Sequence, residues 1–169
     1  MKGIRIQGGM PLQGKVRIQG SKNAALPILA ATLLTNEVSY IQNCPRIEDV
    51  HRFVHLLREL GCMVHWQENG IRVQPGGRDD LPCERGEAIT GMRSSLCLLG
   101  ALLGKCGYVT MEHPGGCVIG DRPIDLHIHA LEQMGVEFLE EDGLLSARAK
   151  NLHGAQITLK FPSVGATEN

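Results

Sequence analysis

Apolar and polar positions change period along this chain in a set order, and the order then recurs. Residues 24–34 (Ala-Ala-Leu-Pro-Ile-Leu-Ala-Ala-Thr-Leu-Leu) are an almost unbroken apolar run, long enough to predict a buried helix. Residues 94–103 predict a second. A short strand follows each, over 38–41 and 108–111, and then a loop containing proline. Next comes an amphipathic helix, with Ile47, Val50, Val54, Leu57 and Leu60 on one face in the first case. Leu126, Ala130, Leu131 and Met134 mark that face in the second. Gly61 and Gly135 stand where a left-handed C-cap would end each helix. Two hairpins complete the pattern. One pairs 63–66 with 71–73 through a turn at Asn69-Gly70, and the other pairs 136–139 with 144–147 through Asp142-Gly143.

The order recurs at a period of about seventy residues, which marks a repeat architecture. Each unit reads helix, strand, helix, strand, strand, with an incoming strand before its first helix. Residues 1–6 alternate as a strand would. Residues 152–159 echo 12–18 as the opening of a third unit, and Ser163-Val164-Gly165-Ala166 stands where Ser21-Lys22-Asn23-Ala24 stands in the first. A third apolar helix is expected next, so the chain reads as a fragment with apolar surface left open.

Composition narrows the class. The chain has 169 residues, enough for a domain with its own core. Hydrophobic residues make up 43% and aromatics only 4%, so the core must be built from aliphatic side chains. Lys plus Arg is 17 against 18 for Asp plus Glu, a net charge of −1, which gives no basic field for nucleic acid or a membrane surface. Cys44, Cys62, Cys83, Cys97, Cys106 and Cys117 form no CxxC pair, and no signal-peptide or membrane-spanning run is present. A reducing, cytoplasmic compartment is expected. Cys106, His113, Cys117, His127 and His129 lie close in sequence, yet no pair has zinc-ligand spacing, so neither a metal nor another cofactor is expected.

Candidate chemistry concentrates in His113-Pro114-Gly115-Gly116-Cys117-Val118-Ile119-Gly120-Asp121-Arg122-Pro123-Ile124-Asp125. Most single cysteines are small core hydrophobes. Here flanking glycines and charges argue for a loop, where a thiol with an unperturbed pKa of about 8.5 reads as a mobile acid or nucleophile near neutral pH. Arg122 beside it can hold a phosphate or carboxylate by two parallel hydrogen bonds. Gly20-Ser21-Lys22-Asn23 joins a strand to a helix start, with Ser21 or Asn23 as N-cap, and Met92-Arg93 holds the matching place in the second unit. Helix starts attract anions. Each alone reads as a capping turn with a surface cation, but Lys22, Arg93 and Arg122 together suggest a converging anion pocket. Lys15, Arg17, Arg46 and Arg58 lack that context and read as solvated charge.

These segments, with Ala24-Ala25-Leu26-Pro27 and Ser163-Val164-Gly165-Ala166-Thr167, resemble the UDP-N-acetylglucosamine 1-carboxyvinyltransferase family from Ile4 to Asn169. The glycine-flanked cysteine loop is the specific element, because the sister family acting on shikimate phosphate lacks it. The resemblance implies an inside-out α/β barrel built from repeated βαβαββ units, truncated here in the third. It implies that residues 1–21 are a strand segment of the other domain and that 22–169 belong to the cysteine-bearing catalytic-loop domain. The reaction implied moves the enolpyruvyl group of phosphoenolpyruvate to the 3′-hydroxyl of UDP-N-acetylglucosamine and releases phosphate. Lys22 matches a phosphoenolpyruvate-binding lysine, Asn23 a residue touching both substrates, and Arg93 an anion-binding arginine. Cys117 matches the catalytic cysteine, which protonates the methylene carbon and is alkylated by the epoxide antibiotic fosfomycin. Arg122, Pro123, Ile124, Asp125 and Leu126 match the segment at the uridine end, and Ser163, Val164 and Gly165 a turn at the nucleotide phosphates.

Some relatives carry a lysine two residues before the Ser-Val-Gly turn. This chain has Pro162 beside the serine and Lys160 further back, so Lys160 takes no role. The family's general base and further phosphoenolpyruvate ligands fall outside this sequence, which predicts that the chain alone is inactive. Two other readings remain. One is the sister 3-phosphoshikimate 1-carboxyvinyltransferase. The other is a non-catalytic nucleotide-binding remnant that self-associates to cover its exposed face.

Overall fold

The fold is that of a computed structural model and is described for residues 3–9, 11, 13–77, 89, 96–112 and 124–168. Helix α1 spans Lys22–Ala31 and runs into a 3-10 turn, Thr32–Leu34. Strand β1 (Ser39–Gln42), helix α2 (Glu48–Glu59) and strands β2 (Met63–Gln67) and β3 (Gly70–Gln74) follow. Beyond them come α3 (Leu96–Cys106), β4 (Tyr108–Glu112), α4 (Asp125–Gln133), β5 (Val136–Glu141), β6 (Leu144–Ala149) and α5 (Val164–Glu168). The strands make two three-stranded antiparallel sheets, ordered β1-β3-β2 and β4-β6-β5.

The long apolar runs become the centre because neither has a polar face to offer water. Helix α3 packs on α1, on the 3-10 turn and beneath β4 and β6. Leu29, Leu33, Leu98 and Leu102 are at most 1% exposed. Helix α2 covers the first sheet with Val50, Val54, Leu57 and Leu60, as its spacing predicts, and adds Phe53 and Leu56. Ile47 departs from that face. It is the N-cap residue with extended backbone, so it lies outside the helical periodicity and stays 36% exposed. Both amphipathic helices end at glycine with positive φ, Gly61 at 81° and Gly135 at 91°.

The two hairpins close differently. Asp142 and Gly143 both have positive φ, 51° and 77°, which is the expected primed turn. In the first hairpin the loop is Glu68-Asn69, because Gln67 pairs with Gly70 and Gly70 already belongs to β3. Gly70 serves close approach instead, since a Cβ there would lie 2.2 Å from the Ile41 carbonyl oxygen.

Two arginines read as solvated charge are in fact tied to this hairpin. Arg46 donates to the Gln67 carbonyl at 2.7 Å and lies 5.0 Å from the Trp66 ring centre, while Arg58 donates to the Val64 carbonyl at 2.7 Å. The incoming strand is present before α3 as one parallel bridge, Ile89 with Met111. The other expected strands, over 1–6, 12–18 and 152–159, form no ladder among the described residues. Their alternation is real, but most of their large apolar side chains stay exposed among the described residues. Ile4, Ile6, Val16 and Ile18 are 92%, 87%, 85% and 78% exposed. Among the described residues no helix is long and apolar enough to cross a membrane.

Candidate functional site

Arg93, Cys117, Arg122 and Pro123 lie outside the described residues. The other predicted site residues fall into two groups.

Lys22 and Asn23 occupy the first turn of α1. The chain enters past Gly20, where a Cβ would meet the Asn43 carbonyl oxygen at 2.2 Å, so only glycine allows this approach. Ser21 is the N-cap, with extended backbone (φ −71°, ψ 133°), and its carbonyl accepts the Ala25 N–H at 3.0 Å. Its hydroxyl makes no capping bond, contrary to the expected role, so it leaves the first-turn N–H groups of α1 uncapped. Pro27 has no N–H to give the Asn23 carbonyl one turn back.

The Lys22 ammonium is 2.8 Å from Asp49 Oδ2, and both side chains are 46% exposed. Asp49 sits in the first turn of α2, where a carboxylate also complements the helix dipole. An exposed pair like this contributes about 0–1 kcal/mol. Its consequence is positional, because it holds the ammonium between the starts of two helices. An arriving phosphate or carboxylate would compete with Asp49 for the lysine.

The second group joins the start of α4 to the 163–167 turn. Ile124, the N-cap of α4, and Leu126 are 7% and 6% exposed and anchor this start in the core, which leaves Asp125 facing solvent. Ser163 organises the turn. Its Oγ accepts the Ala166 N–H at 3.3 Å, and its carbonyl accepts the Thr167 N–H at 3.1 Å and hydroxyl at 2.7 Å. Val164 and Gly165 are exposed. His127 bridges the halves through a hydrogen bond to the Gly165 backbone. Burial pushes the pKa of His127 below its ordinary value, while that bond and the Asp125 charge oppose the shift.

The described link between these two segments, almost forty residues apart, thus runs through His127 and the Gly165 backbone. Among the described residues no hydrogen bond joins the Lys22–Asp49 pair to this second group. Nor, among them, can any group of three His, Cys, Asp or Glu hold a metal ion. Asp49 and His127 were missed as site residues. An acidic pair, Glu48-Asp49, opening an amphipathic helix was the available signal for the first. Nothing local pointed to the bridging role of the second.

Comparison with known proteins now adds to this geometry. The family model described as EPSP synthase (3-phosphoshikimate 1-carboxyvinyltransferase) matches residues 6–169. The chain is 44% identical over its whole length to a UDP-N-acetylglucosamine 1-carboxyvinyltransferase of Oleidesulfovibrio alaskensis. It is 45% identical to the protein of that name in Lawsonia intracellularis. In each case it spans 40% of the relative's length. Among solved structures it is similar in fold to the enolpyruvyl transferase NikO from Streptomyces tendae, with a TM-score of 0.64 and 24% identity. That match covers 86% of this chain and 32% of the other. EPSP synthase from Acinetobacter baumannii gives a TM-score of 0.66 at 17% identity, over 92% of this chain and 36% of the other.

Proposed function

Because the chain belongs to the EPSP synthase (3-phosphoshikimate 1-carboxyvinyltransferase) family, we propose that it serves the UDP-N-acetylglucosamine branch of that family, in the cytoplasm. It would carry part of the machinery that moves the enolpyruvyl group of phosphoenolpyruvate to the sugar 3′-hydroxyl in peptidoglycan synthesis. The observation that carries this reading is 44% identity across the entire chain to a protein bearing that name. The glycine-flanked Cys117 loop favours it over the shikimate-phosphate branch.

In this reading the Cys117 thiol gives its proton to the methylene carbon while the sugar hydroxyl oxygen attacks the adjacent carbon and yields its own proton to a general base from outside this sequence. Loss of phosphate and of a proton from the new methyl group then restores the double bond. Lys22, Arg93 and Arg122 offset the substrates' negative charge, and Asn23 touches both substrates. Arg122, Pro123, Ile124, Asp125 and Leu126 hold the uridine end, and Ser163, Val164 and Gly165 the phosphates. The hydrogen bond from His127, next to that segment, to the Gly165 backbone supports that assignment. Fosfomycin would alkylate Cys117.

We read the fold as repeated βαβαββ units of an inside-out barrel. The shared strand order of the two sheets and the parallel Ile89 bridge support this. Residues 1–21 are read as a strand of a second domain and 22–169 as the cysteine-bearing one. The bare Ile4, Ile6, Val16 and Ile18 support that division.

The test is thermal unfolding with each candidate ligand. Saturation with UDP-N-acetylglucosamine at about 100 Kd should stabilise by about 2.7 kcal/mol, roughly 5–11 °C for a chain of this size. Shikimate 3-phosphate should give no shift. A shift with shikimate 3-phosphate alone would assign the other branch.

A further inference from the structure

We infer that the cleft between the segment entering α1, the β1–α2 turn and the β2–β3 loop is a binding site for a small amino dicarboxylic acid of the glutamate or aspartate type. It uses none of the residues given a part in the transfer chemistry proposed above.

The cleft has a volume of about 210 Å³ and is walled by Arg17, Asn43, Cys44, Arg46, Glu68 and Asn69. Sites for drug-sized ligands run from about 300 Å³ upward, so this one suits a small metabolite. Its walls are fixed to one another. Gly20 and Gly70 bring backbones so close that a Cβ on either would stand 2.2 Å from a carbonyl oxygen, of Asn43 and Ile41 respectively. The Asn43 N–H donates to the Asn69 carbonyl at 2.9 Å, which ties the β1–α2 turn to the hairpin loop. Cys44 is half-buried and packs on the core, giving the cleft one apolar side.

Charge on these walls selects the ligand. Arg46 is held in place by the Gln67 carbonyl at 2.7 Å and by the Trp66 ring, whose centre is 5.0 Å away. A guanidinium carries five N–H donors, so that bond leaves it able to grip a carboxylate. Arg17 and Glu68 line the same cleft, yet among the described residues neither forms an ion pair, with the other or with any group. A simple anion would meet the like charge of Glu68, and a simple amine that of two guanidiniums. A ligand with two carboxylates and one ammonium matches all three charges. The side-chain amides of Asn43 and Asn69 can donate to its carboxylates or accept from its ammonium.

Trp66 is the only tryptophan of the chain and lies against Arg46, so its fluorescence reads this cleft. Titration of the chain with glutamate and with aspartate, at fixed ionic strength because exposed charges are screened by salt, tests the inference. A saturable change is expected with either, at a Kd on the order of 1 mM for a ligand of about ten non-hydrogen atoms. Glutarate, which has both carboxylates but no ammonium, should bind about 10-fold more weakly than glutamate. Glu68→Gln should lower glutamate affinity to the glutarate level, and Arg17→Gln should weaken both ligands. Both substitutions fall on exposed residues, so the fold should persist in each.

Inorganic phosphate should leave Trp66 fluorescence unchanged. Equal affinity for glutamate and glutarate, or saturation of the same signal by phosphate, would reduce the cleft to an unselective anion patch and overturn the inference. So would the absence of any saturable change both in Trp66 fluorescence and in the NMR signals of the Asn43 and Asn69 side-chain amides.

Discussion

Gly20→Ala is the substitution whose effect the geometry fixes most tightly. The new Cβ would stand 2.2 Å from the Asn43 carbonyl oxygen and 3.3 Å from Pro45 Cδ. Ordinary contact needs about 1 Å more. The obstacle is backbone, and Asn43 cannot easily retreat. It already sits at φ 54°, with its N–H held by the Asn69 carbonyl at 2.9 Å. The 17–20 segment must therefore move and carry the start of α1 with it. Overpacking of this kind costs about 1–3 kcal/mol, and for a chain of this size each kcal/mol lowers Tm by about 2–4 °C. Calorimetry of both proteins should show a loss of roughly 2–12 °C, with Lys22 drawn away from Asp49. An unchanged Tm would mean that the Gly20–Asn43 approach does not hold the start of α1 in place, and the site geometry built on it would fail.

Asp49→Asn should leave the unfolding free energy within about 1 kcal/mol of wild type, because the pair is half exposed. It should also free Lys22, and tighter phosphate binding by titration would show this. Leu102→Ala, at a side chain with 0% exposure between the two units, should cost about 2–5 kcal/mol by denaturant unfolding. The pH response of His127 follows from its lowered pKa. Between that lower value and the ordinary histidine value the unfolded chain binds more protons, so stability rises with pH there. Stability present above pH 6.5 is therefore lost as the pH falls through the folded value. His127→Gln should remove that share of the pH dependence, and unfolding curves at pH 5 and 7.5 check it.

Much of this was legible in residue order. The runs at 24–34 and 94–103 could only be interior helices, and Asp142-Gly143 specified its own turn. Gly70 misled because a glycine after asparagine imitates a primed turn, whereas its role here is contact with Ile41 across the sheet. The strands expected over 1–6, 12–18 and 152–159 were read from alternation, a local property. Pairing requires a neighbour that alternation cannot supply. In the site, the segments 124–126 and 163–165 were expected from the family resemblance, and the link from His127 to Gly165 beside them was not. Asp49 lies 27 residues from Lys22 and His127 lies 38 from Gly165. Contacts at such separation are set by packing of helices, not by any spacing along the chain.

The most direct measurement is intact mass of the chain after incubation with fosfomycin, with and without UDP-N-acetylglucosamine. Cys62, 4% exposed and with its thiol pKa pushed up by burial, should resist the reagent. A single adduct, mapped to Cys117 and formed faster with nucleotide, is the predicted result. No adduct at Cys117, or indiscriminate labelling of several cysteines that is indifferent to nucleotide, would contradict a nucleotide-coupled carboxyvinyl transfer site.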